Sequence, residues 1–300
     1  MTKTITLLFA HGAGLCKEIW EPITSRLQES ILLQDAAVKT EVVTFDFKYH
    51  GASRDESETP QVDLTDPLSP RVYHSSNDLT GWTTAEMLQR VHDLKKKNPD
   101  RKLIGIGHSM GACALWNSEI QQPGSFDGLI LFEPVFGEIH DDSITDFLVS
   151  ITLQRESSWS SRNEAENHLR NFKNFSAWDR DSLEAYMKGG LVEDKATGRT
   201  ELACSPLIEA ALYCHKLMFC TDELLSRVKC KVYFHYGERT KLFIPSIFEE
   251  MQDKWPHICT LGKPIPRSSH CMVMEKPDAA TLKISKSLAQ LEPCQAIQHL

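Results

Sequence analysis

The segment Gly107–Gly111, which reads GHSMG, offers the clearest chemistry in the chain. In a Gly-x-Ser-x-Gly pattern the small residues let the backbone turn sharply from a strand into a helix, and the turn pushes the serine hydroxyl out of the sheet edge. Residues 102–107 predict a buried strand, and residues 111–120 have helical spacing. This context favours Ser109 as a nucleophile over a glycine-flanked surface turn.

A second glycine-rich turn, His11–Gly14, directly follows the first predicted strand and precedes a helix. Small residues there allow backbone N–H groups to face a developing oxyanion. We predict that Ala13 N is one donor. The other is Met110 N, at the start of the helix after Ser109, because a helix N-terminus also favours negative charge. Taken alone, this turn is more typical of a simple tight connection, but the Ser109 pattern reverses that preference and favours the catalytic interpretation.

Of the 12 histidines in the chain, His270 lies where a general base is needed. The base partner of such a serine follows it in chain order and lies on a loop beyond the last strand. His270 meets both conditions, and a predicted helix follows that can hold its loop against the core. His235 lies inside a strand pattern and His257 enters one, so both are predicted to be structural.

The elements that must position these residues alternate between short aliphatic strands and amphipathic helices. The predicted strands are residues 5–9, 41–47, 102–107, 128–132, 231–236 and 258–261. The predicted helices between them are residues 17–29, 83–97, 111–122 and 277–290. This alternation indicates an α/β fold with a doubly wound, mainly parallel sheet of about six strands. The first strand lies too near the start to leave room for an antiparallel hairpin before it.

Two stretches interrupt the alternation. Residues 51–81 are rich in Ser, Asp, Pro and Thr and predict a long surface loop. Residues 138–228 show no strand pattern and predict helices at residues 144–153, 162–172, 181–188 and 205–219. We therefore expect a core of residues 1–137 and 229–300, with a helical insertion at residues 138–228.

Composition excludes several classes of partner. There are 33 Lys and Arg residues against 41 Asp and Glu, a formal charge of −8, and no basic run stands out, which argues against nucleic acid and acidic membranes. No apolar run reaches the roughly 18 residues of a transmembrane helix. The sequence leaves the oligomeric state open.

Cysteine usage and the chain ends bear on the compartment. The nine cysteines form no C-x-x-C pair, and Cys214, His215 and Cys220 lack zinc-ligand spacing, so we expect reduced thiols, no metal site and an intracellular protein. The first residues do not resemble a secretion signal. The final tripeptide Gln298–Leu300 loosely matches the Ser-Lys-Leu peroxisomal address, which leaves a peroxisomal or a cytoplasmic location.

In this order, His11–Gly14, Gly107–Gly111 and the loop with Ser269 and His270 resemble the α/β-hydrolase superfamily of serine hydrolases over nearly the whole chain. Asp46 and residues 50–53 are similar to its Asp-x-x-Gly-His-Gly-x-Ser loop, whose role is structural, although residues 47–49 replace the earlier glycine. Residues 17–22 and 131–134 look most like the fungal branch of peroxisomal lipases and toxin-biosynthesis hydrolases.

The catalytic acid departs from the commonest pattern of that superfamily. Its usual place is the turn after the penultimate strand, with the pattern Gly-Glu-x-Asp, whereas Gly237–Thr240 reads GERT. A threonine hydroxyl cannot stabilise an imidazolium as a carboxylate does. The superfamily's alternative position, at the end of the strand after the Ser109 strand, points to Glu133. A carboxylate that ends a buried apolar run needs a partner, which His270 would provide. Glu238 remains the rival.

The resemblance also implies a helical cap over the site, for which residues 138–228 are the counterpart. Large side chains of this segment are candidates for an acyl pocket, although such spacing is more typical of the cap's own core; they are Trp159, Phe172, Phe175, Trp178, Leu217 and Met218.

The resemblance implies hydrolysis of an ester or thioester of a small acyl substrate through an acyl-enzyme on Ser109, with no cofactor. Members that use an aspartate nucleophile, the epoxide hydrolases and haloalkane dehalogenases, are disfavoured because position 109 is serine. Carbon–carbon bond hydrolases, toxin-pathway hydrolases and cyclases use serine and remain open. A non-catalytic binding protein of the same fold is the alternative from another class.

Overall fold

Six strands form one parallel sheet in the computed structural model, which describes residues 3–29, 38–137 and 142–295. In chain order the strands are β1 (Lys3–Ala10), β2 (Val38–Thr44), β3 (Gln61–Asp63), β4 (Arg71–Tyr73), β5 (Lys102–His108), β6 (Gly128–Phe132), β7 (Ser158–Trp159), β8 (Leu191–Glu193), β9 (Thr200–Leu202), β10 (Val232–His235) and β11 (Cys259–Leu261). The sheet order is β2-β1-β5-β6-β10-β11, and every adjacent pair is parallel. The predicted fold is therefore confirmed.

The helices are α1 (Glu21–Gln28), α2 (Leu79–Lys97), α3 (Met110–Gln121), α4 (Asp142–Leu153), α5 (Arg162–Asn171), α6 (Arg180–Gly190), α7 (Pro206–Tyr213), α8 (Asp222–Leu225), α9 (Pro245–Lys254), α10 (Met272–Glu275), α11 (Pro277–Gln290) and α12 (Glu292–Gln295). A 3-10 turn at Lys17–Trp20 precedes α1, which begins beside Pro22 because proline tolerates the first helical turn. In the described part of the chain no helix is both long and apolar enough to cross a bilayer.

Both faces of the sheet are apolar, because helices cover both. On β1, Ile5, Leu7 and Phe9 pack in one core with α1 and α11. Leu8 and Ala10, which point to the other face, pack in a second core with α2, α3 and α9. This double burial explains why the strands read as continuous aliphatic runs.

The strand order reverses direction beside β1. The chain moves outward from β1 to β2 and then crosses to β5 on the other side of β1. Connections that diverge in this way leave a crevice at the carboxyl ends of the two strands, where ligands of open α/β sheets bind. Here those ends lead into His11–Gly14 and Ser109.

Residues 51–81 contain more structure than the predicted surface loop. β3 and β4 form an antiparallel hairpin in which Val62 lies opposite Val72. Val72 is buried and Val62 is exposed. Three-residue strands are too short for alternation to stand out, so the prediction of an irregular loop was wrong here.

The insertion between β6 and β10 is mainly helical, with α4–α8 in its described residues 142–228. It also contains a small antiparallel sheet in the order β7-β9-β8, so the expectation of no strands was wrong. These strands are two or three residues long and are held by backbone pairing without a hydrophobic repeat. The helix predicted at 205–219 ends at Tyr213, where Cys214 N bonds Ala211 O in a tighter turn.

Candidate active site

Ser109 lies at the sharp turn between β5 and α3. Its φ of 53° and ψ of −117° are outside the favourable regions for a residue with a side chain. Such a conformation costs about 1–3 kcal/mol and persists only when its surroundings enforce it. Two hydrogen bonds do so: Ser109 N donates to Phe132 O at 2.9 Å, and Cys113 N donates to Ser109 O at 2.9 Å.

The two glycines of the GHSMG segment are required by close backbone approach. A Cβ at position 111 would lie 2.3 Å from the carbonyl oxygen of Ala10, and one at position 107 would lie 2.7 Å from Ala112 N. Neither neighbour can move, because both are backbone atoms of buried elements. The segment is therefore specified by the packing of β1, β5 and α3 around the turn.

The turn after β1 lies directly against Ser109. A Cβ at Gly12 would lie 3.2 Å from Ser109 Cβ. Gly14 N is occupied, since it donates to His50 Nε2 at 3.1 Å. Among the hydrogen bonds of the described residues, none uses Ala13 N. Met110 N begins α3 and has no acceptor within the helix. Met110 N thus directly follows Ser109, and the turn that carries Ala13 lies against it.

Two buried histidines hold this turn in place. His11 Nε2 accepts from Phe47 N at 3.1 Å, and its Nδ1 bonds Gly12 O at 2.8 Å. His50 accepts from Gly14 N at one nitrogen and bonds Lys48 O at 2.8 Å with the other. Burial lowers the pKa of His11 to about 3 and also lowers the pKa of His50. Both rings are neutral at physiological pH and act as rigid connectors.

Glu133, at the end of β6, is the carboxylate that contacts His270. Its side chain is 1% exposed and its φ is 44°. Oε2 accepts from His270 Nδ1 at 2.6 Å and from Thr240 Oγ1 at 2.7 Å, and Oε1 accepts from Gly237 N at 2.8 Å. The buried carboxylate therefore has three donors, which compensates for its removal from water.

Glu238, the rival acid, is turned away from this cluster. It is exposed, and its Oε2 accepts from Arg267 N at 2.7 Å. It stabilises the loop that leads to His270 and does not contact the His270 ring.

The His270 loop is tied down at both ends. Glu275 accepts from Ser269 N at 2.8 Å and from Ser269 Oγ at 2.6 Å. On the other side, His108 Nε2 bonds His270 O at 2.8 Å. Burial lowers the pKa of His108 to about 3, so its ring is a neutral donor. Sequence analysis did not identify His108 or Glu275 as site residues. The fold brings His108 to the loop across 162 positions, whereas Glu275 lies six positions from Ser269 but belongs to no recognised motif.

No hydrogen bond joins Ser109 Oγ to His270 within the described ranges. Catalytic hydrogen bonds are often long without substrate and tighten in the complex. The bond of Nδ1 to Glu133 leaves Nε2 as the nitrogen of His270 that is available for Ser109.

Two of the six candidate pocket residues, Trp178 and Met218, lie near these loops. Trp178 belongs to the hydrophobic cluster against which Cys271, next to His270, packs. Met218 accepts from Cys113 Sγ at 3.6 Å, one helical turn beyond Ser109. Leu217 is half-buried beside Met218.

The other three candidates form an aromatic series within the insertion. Phe175 lies 4.8 Å from Trp178 and 6.0 Å from Phe172, measured between ring centroids. His168 lies between Phe172 and Trp159, at 5.4 Å from each. These rings contribute to the insertion's own packing.

A buried ion pair of the insertion faces the turn after β1. Glu209 on α7 pairs with Arg155 and accepts from Tyr213 Oη at 2.9 Å. Burial opposes its ionisation, but Arg155 outweighs that effect and lowers the pKa of Glu209. A Cβ at Gly14, where φ is 70°, would lie 2.5 Å from the Glu209 carboxyl carbon. Glycine is therefore required there by both conformation and space.

Taken together, the described residues place a strained serine, a histidine bonded to a buried carboxylate, and two backbone donors at one edge of the sheet. Within residues 3–29, 38–137 and 142–295, no group of three His, Cys, Asp or Glu side chains is arranged to hold a metal ion.

Comparisons with known proteins find fungal relatives that match part of the chain. The abhydrolase domain-containing protein AKT2 of Alternaria alternata is 34% identical over 93 residues, which cover 31% of this chain and 35% of the relative. The type I acyl-CoA thioesterase mpaH of Penicillium brevicompactum is 27% identical over 166 residues, covering 54% of this chain and 34% of the relative. The chain thus spans about a third of the length of these curated relatives.

A solved structure extends the likeness to almost the whole fold. The peroxisomal alpha-beta-hydrolase Lpx1 of Saccharomyces cerevisiae superposes with a TM-score of 0.74 and 18% identity, covering 99% of this chain and 77% of that chain. The expected similarity to fungal relatives is confirmed. The family described as the alpha/beta hydrolase family matches residues 7–283. The chain belongs to the alpha/beta hydrolase family.

Proposed function

We propose that this protein is a serine hydrolase that cleaves an ester or thioester through an acyl-enzyme on Ser109. The observation that carries this proposal is the 2.6 Å bond between His270 Nδ1 and the buried Glu133 carboxylate, beside a serine held at positive φ. A nucleophile and a base that is itself oriented by a third group are the requirements of acyl transfer by serine.

His270 acts as the general base in this scheme. Glu133 accepts the Nδ1 proton, which fixes the tautomer and leaves Nε2 to take the Ser109 proton. When the imidazolium forms, the carboxylate stabilises it without becoming protonated. His270 then protonates the leaving group and later activates the water that releases the acyl group.

Ala13 N and Met110 N would stabilise the tetrahedral intermediate. Backbone donors aimed at a developing oxyanion contribute about 2.7–4 kcal/mol each by analogy with other hydrolases. The neutral His50 ring supports the role of Ala13 N, since it occupies Gly14 N and fixes the loop.

The insertion would form a cap over the Ser109 site, with residues 1–137 and 229–300 as the hydrolase core and residues 138–228 as the cap. Asp179 N donates to Met274 O at 3.0 Å, which anchors the insertion to the His270 loop. We assign Trp178, Leu217 and Met218 to the acyl pocket. Trp178 precedes Asp179, which bonds the His270 loop, and Met218, which follows Leu217, bonds Cys113 one helical turn beyond Ser109. Trp159, Phe172 and Phe175 would support that pocket from behind.

Both ester and thioester substrates are consistent with the site, and the relative mpaH is a type I acyl-CoA thioesterase. We propose a small-molecule acyl substrate on this basis.

Peroxisomal import through Gln298–Leu300 is a separate proposal. It is supported by the structural neighbour Lpx1, which is described as a peroxisomal alpha-beta-hydrolase. The tripeptide itself lies outside the described residues. Fusion of the last residues to a fluorescent protein tests it, and a diffuse signal would reject it.

The proposed function is tested by labelling with a fluorophosphonate, followed by peptide mass spectrometry. We expect one adduct on Ser109 in the wild-type protein and none in Ser109→Ala. Ser57→Ala, which alters an exposed serine, is the matched control and should label as the wild type does. Turnover of p-nitrophenyl esters and acyl-CoA thioesters of increasing chain length then identifies the substrate class. No label on Ser109, together with no turnover, would reject a serine hydrolase.

A further inference from the structure

Thr240 occupies the place at which the superfamily pattern has an aspartate, and its hydroxyl contacts the acid from the neighbouring strand. Thr240 Oγ1 lies 2.7 Å from Glu133 Oε2. The same oxygen accepts from His270 Nδ1 at 2.6 Å. Threonine and histidine thus share one carboxylate oxygen.

The direction of the hydroxyl proton follows from its other partner. Leu242 N donates to Thr240 Oγ1 at 3.3 Å, so the oxygen accepts on that side and its own proton is free for Glu133. An ionised carboxylate only accepts hydrogen bonds. Thr240 therefore donates to Glu133, and the bond to a charged acceptor is stronger than one between neutral groups.

The turn that carries Thr240 is rigidly fixed. Thr240 N donates to Gly237 O at 3.2 Å, and Arg239 N donates to Ser268 O at 2.8 Å, next to the His270 loop. Gly237 N holds the other oxygen of Glu133 at 2.8 Å. Two donors on one rigid turn hold both oxygens of the carboxylate, which prevents its rotation about the terminal bond.

We propose that Thr240 is a positioning residue, which acts through Glu133 to hold Oε2 on the line toward His270 Nδ1. The inference rests on the proposed function, in which His270 is the base. Without the hydroxyl, Gly237 N alone would restrain the carboxylate, and His270 would lose part of its orientation. The effect should fall on the chemical step, because Thr240 lies behind the acid and away from Ser109.

The kinetic test compares Thr240→Val, which is nearly isosteric but has no hydroxyl, with Thr240→Ser, which keeps it. We expect Thr240→Val to lower kcat about tenfold with KM changed less than about twofold, as for loss of a charge-assisted hydrogen bond. Thr240→Ser should remain within about threefold of the wild type. Equal activity of wild type and Thr240→Val, or equal damage in both variants, would overturn the positioning role.

A second measurement does not depend on turnover. The Nδ1–H of His270 in its short bond to Glu133 should give a downfield proton NMR signal, assigned by its loss in His270→Gln. Thr240→Val should move this signal and Thr240→Ser should preserve it. An unchanged signal in Thr240→Val would overturn the inference. If wild-type protein shows neither turnover nor labelling while Thr240→Val still moves the signal, the proposed function fails and the positioning of Glu133 stands.

Discussion

The turns after β6 and β10 follow adjacent parallel strands, yet they supply opposite halves of one interaction. The β6 turn provides Glu133, which is 1% exposed and bonded to three donors. The β10 turn provides two of those donors, Gly237 N and Thr240 Oγ1, while its own carboxylate, Glu238, is exposed and bonds Arg267 N.

The difference teaches that burial and partners, more than position in a pattern, identify an acid. A carboxylate can stay ionised inside a protein only when donors replace its water. The β10 turn aims its donors inward at Glu133, whereas Glu238 points to solvent. The β6 turn carries the negative charge and the β10 turn carries two of its hydrogen-bond donors. Substitutions in either turn should therefore lower the same hydrolase activity, but to different degrees.

Ser109→Ala should cause the largest loss of kcat, and the losses in variants of the two turns can be compared with it. Loss of a triad nucleophile lowers kcat by about four to six orders of magnitude, because the members of a triad act as a unit. The fold should persist, since only one oxygen is removed. The check is turnover of the best ester or thioester, with circular dichroism as the control. Retention of more than about one per cent of wild-type kcat would contradict the assignment of Ser109.

The kcat values of Glu133→Gln and Glu238→Gln test the difference between the two turns most directly. Glu133→Gln should lower kcat by about a hundredfold or more, since a neutral amide cannot stabilise the imidazolium of His270. Glu238→Gln, which removes an exposed charge, should stay within about twofold. Both variants are assayed under identical conditions. The assignment is wrong if Glu133→Gln keeps near-wild-type turnover while Glu238→Gln loses it.

Thr240→Asp in the Glu133→Gln background sharpens the comparison. Thr240 Oγ1 and His270 Nδ1 both contact Glu133 Oε2, at 2.7 and 2.6 Å, so a carboxylate at position 240 comes close to the ring. We expect the double variant to regain at least about twentyfold in kcat over Glu133→Gln. Glu133→Gln with Thr240→Asn, which has the same shape without the charge, is the control and should regain nothing. Equal turnover of the two double variants would show that the turns cannot exchange the acid.

His235 joins the two turns, because its carbonyl oxygen accepts a hydrogen bond from Glu133 N at 3.0 Å. Substitution of His235 should have the smallest effect of the changes considered, and that effect should fall on stability. Burial lowers the pKa of His235 to about 3 from the ordinary value of 6.5. Between these values the unfolded chain binds a proton that the folded ring does not, so the free energy of unfolding falls as pH drops below 6.5, by about 1.4 kcal/mol per pH unit for this group.

The His235 ring bonds Ser287 Oγ through Nε2 at 3.1 Å. His235→Gln, which keeps a polar group for Ser287, should remove the contribution of His235 to the pH dependence. His11 and His108 titrate alike in both proteins, so the slope of unfolding free energy against pH should be smaller in the variant by about 1.4 kcal/mol per unit between pH 6 and 4. Urea unfolding at several pH values measures it. Parallel slopes would mean that His235 does not stay neutral in the folded state.

The sheet was predictable from sequence because its central strands, β1, β5, β6 and β10, are buried on both faces and bounded by turns. Ser109 and His270 were also predictable as candidates, since the glycines around position 107 and the loop after β11 are local signals. The catalytic acid was harder to predict, because the usual aspartate is replaced by Thr240 and another carboxylate had to be found. The contact of that carboxylate, Glu133, with His270 spans 137 positions.

Contacts of that length explain what the sequence did not show. His108 looks like an ordinary strand end until the fold brings it to His270 across 162 positions. Glu275 is only six positions from Ser269, but it looks like an ordinary helical residue. The strands β7, β8 and β9 have no repeat to detect, because two or three residues cannot alternate visibly. The hairpin of β3 and β4 was missed for the same reason.

The contacts of the insertion with both catalytic loops limit how this protein can diversify. Glu209 fills the space beside Gly14, and Asp179 N donates to Met274 O just after His270. Substitutions that reshape the insertion for a new substrate therefore shift the machinery that reacts with it. We expect laboratory evolution of substrate range to start with substitutions near Leu217, which lies outside both contacts, and to reach α7 only with compensating changes around Gly14.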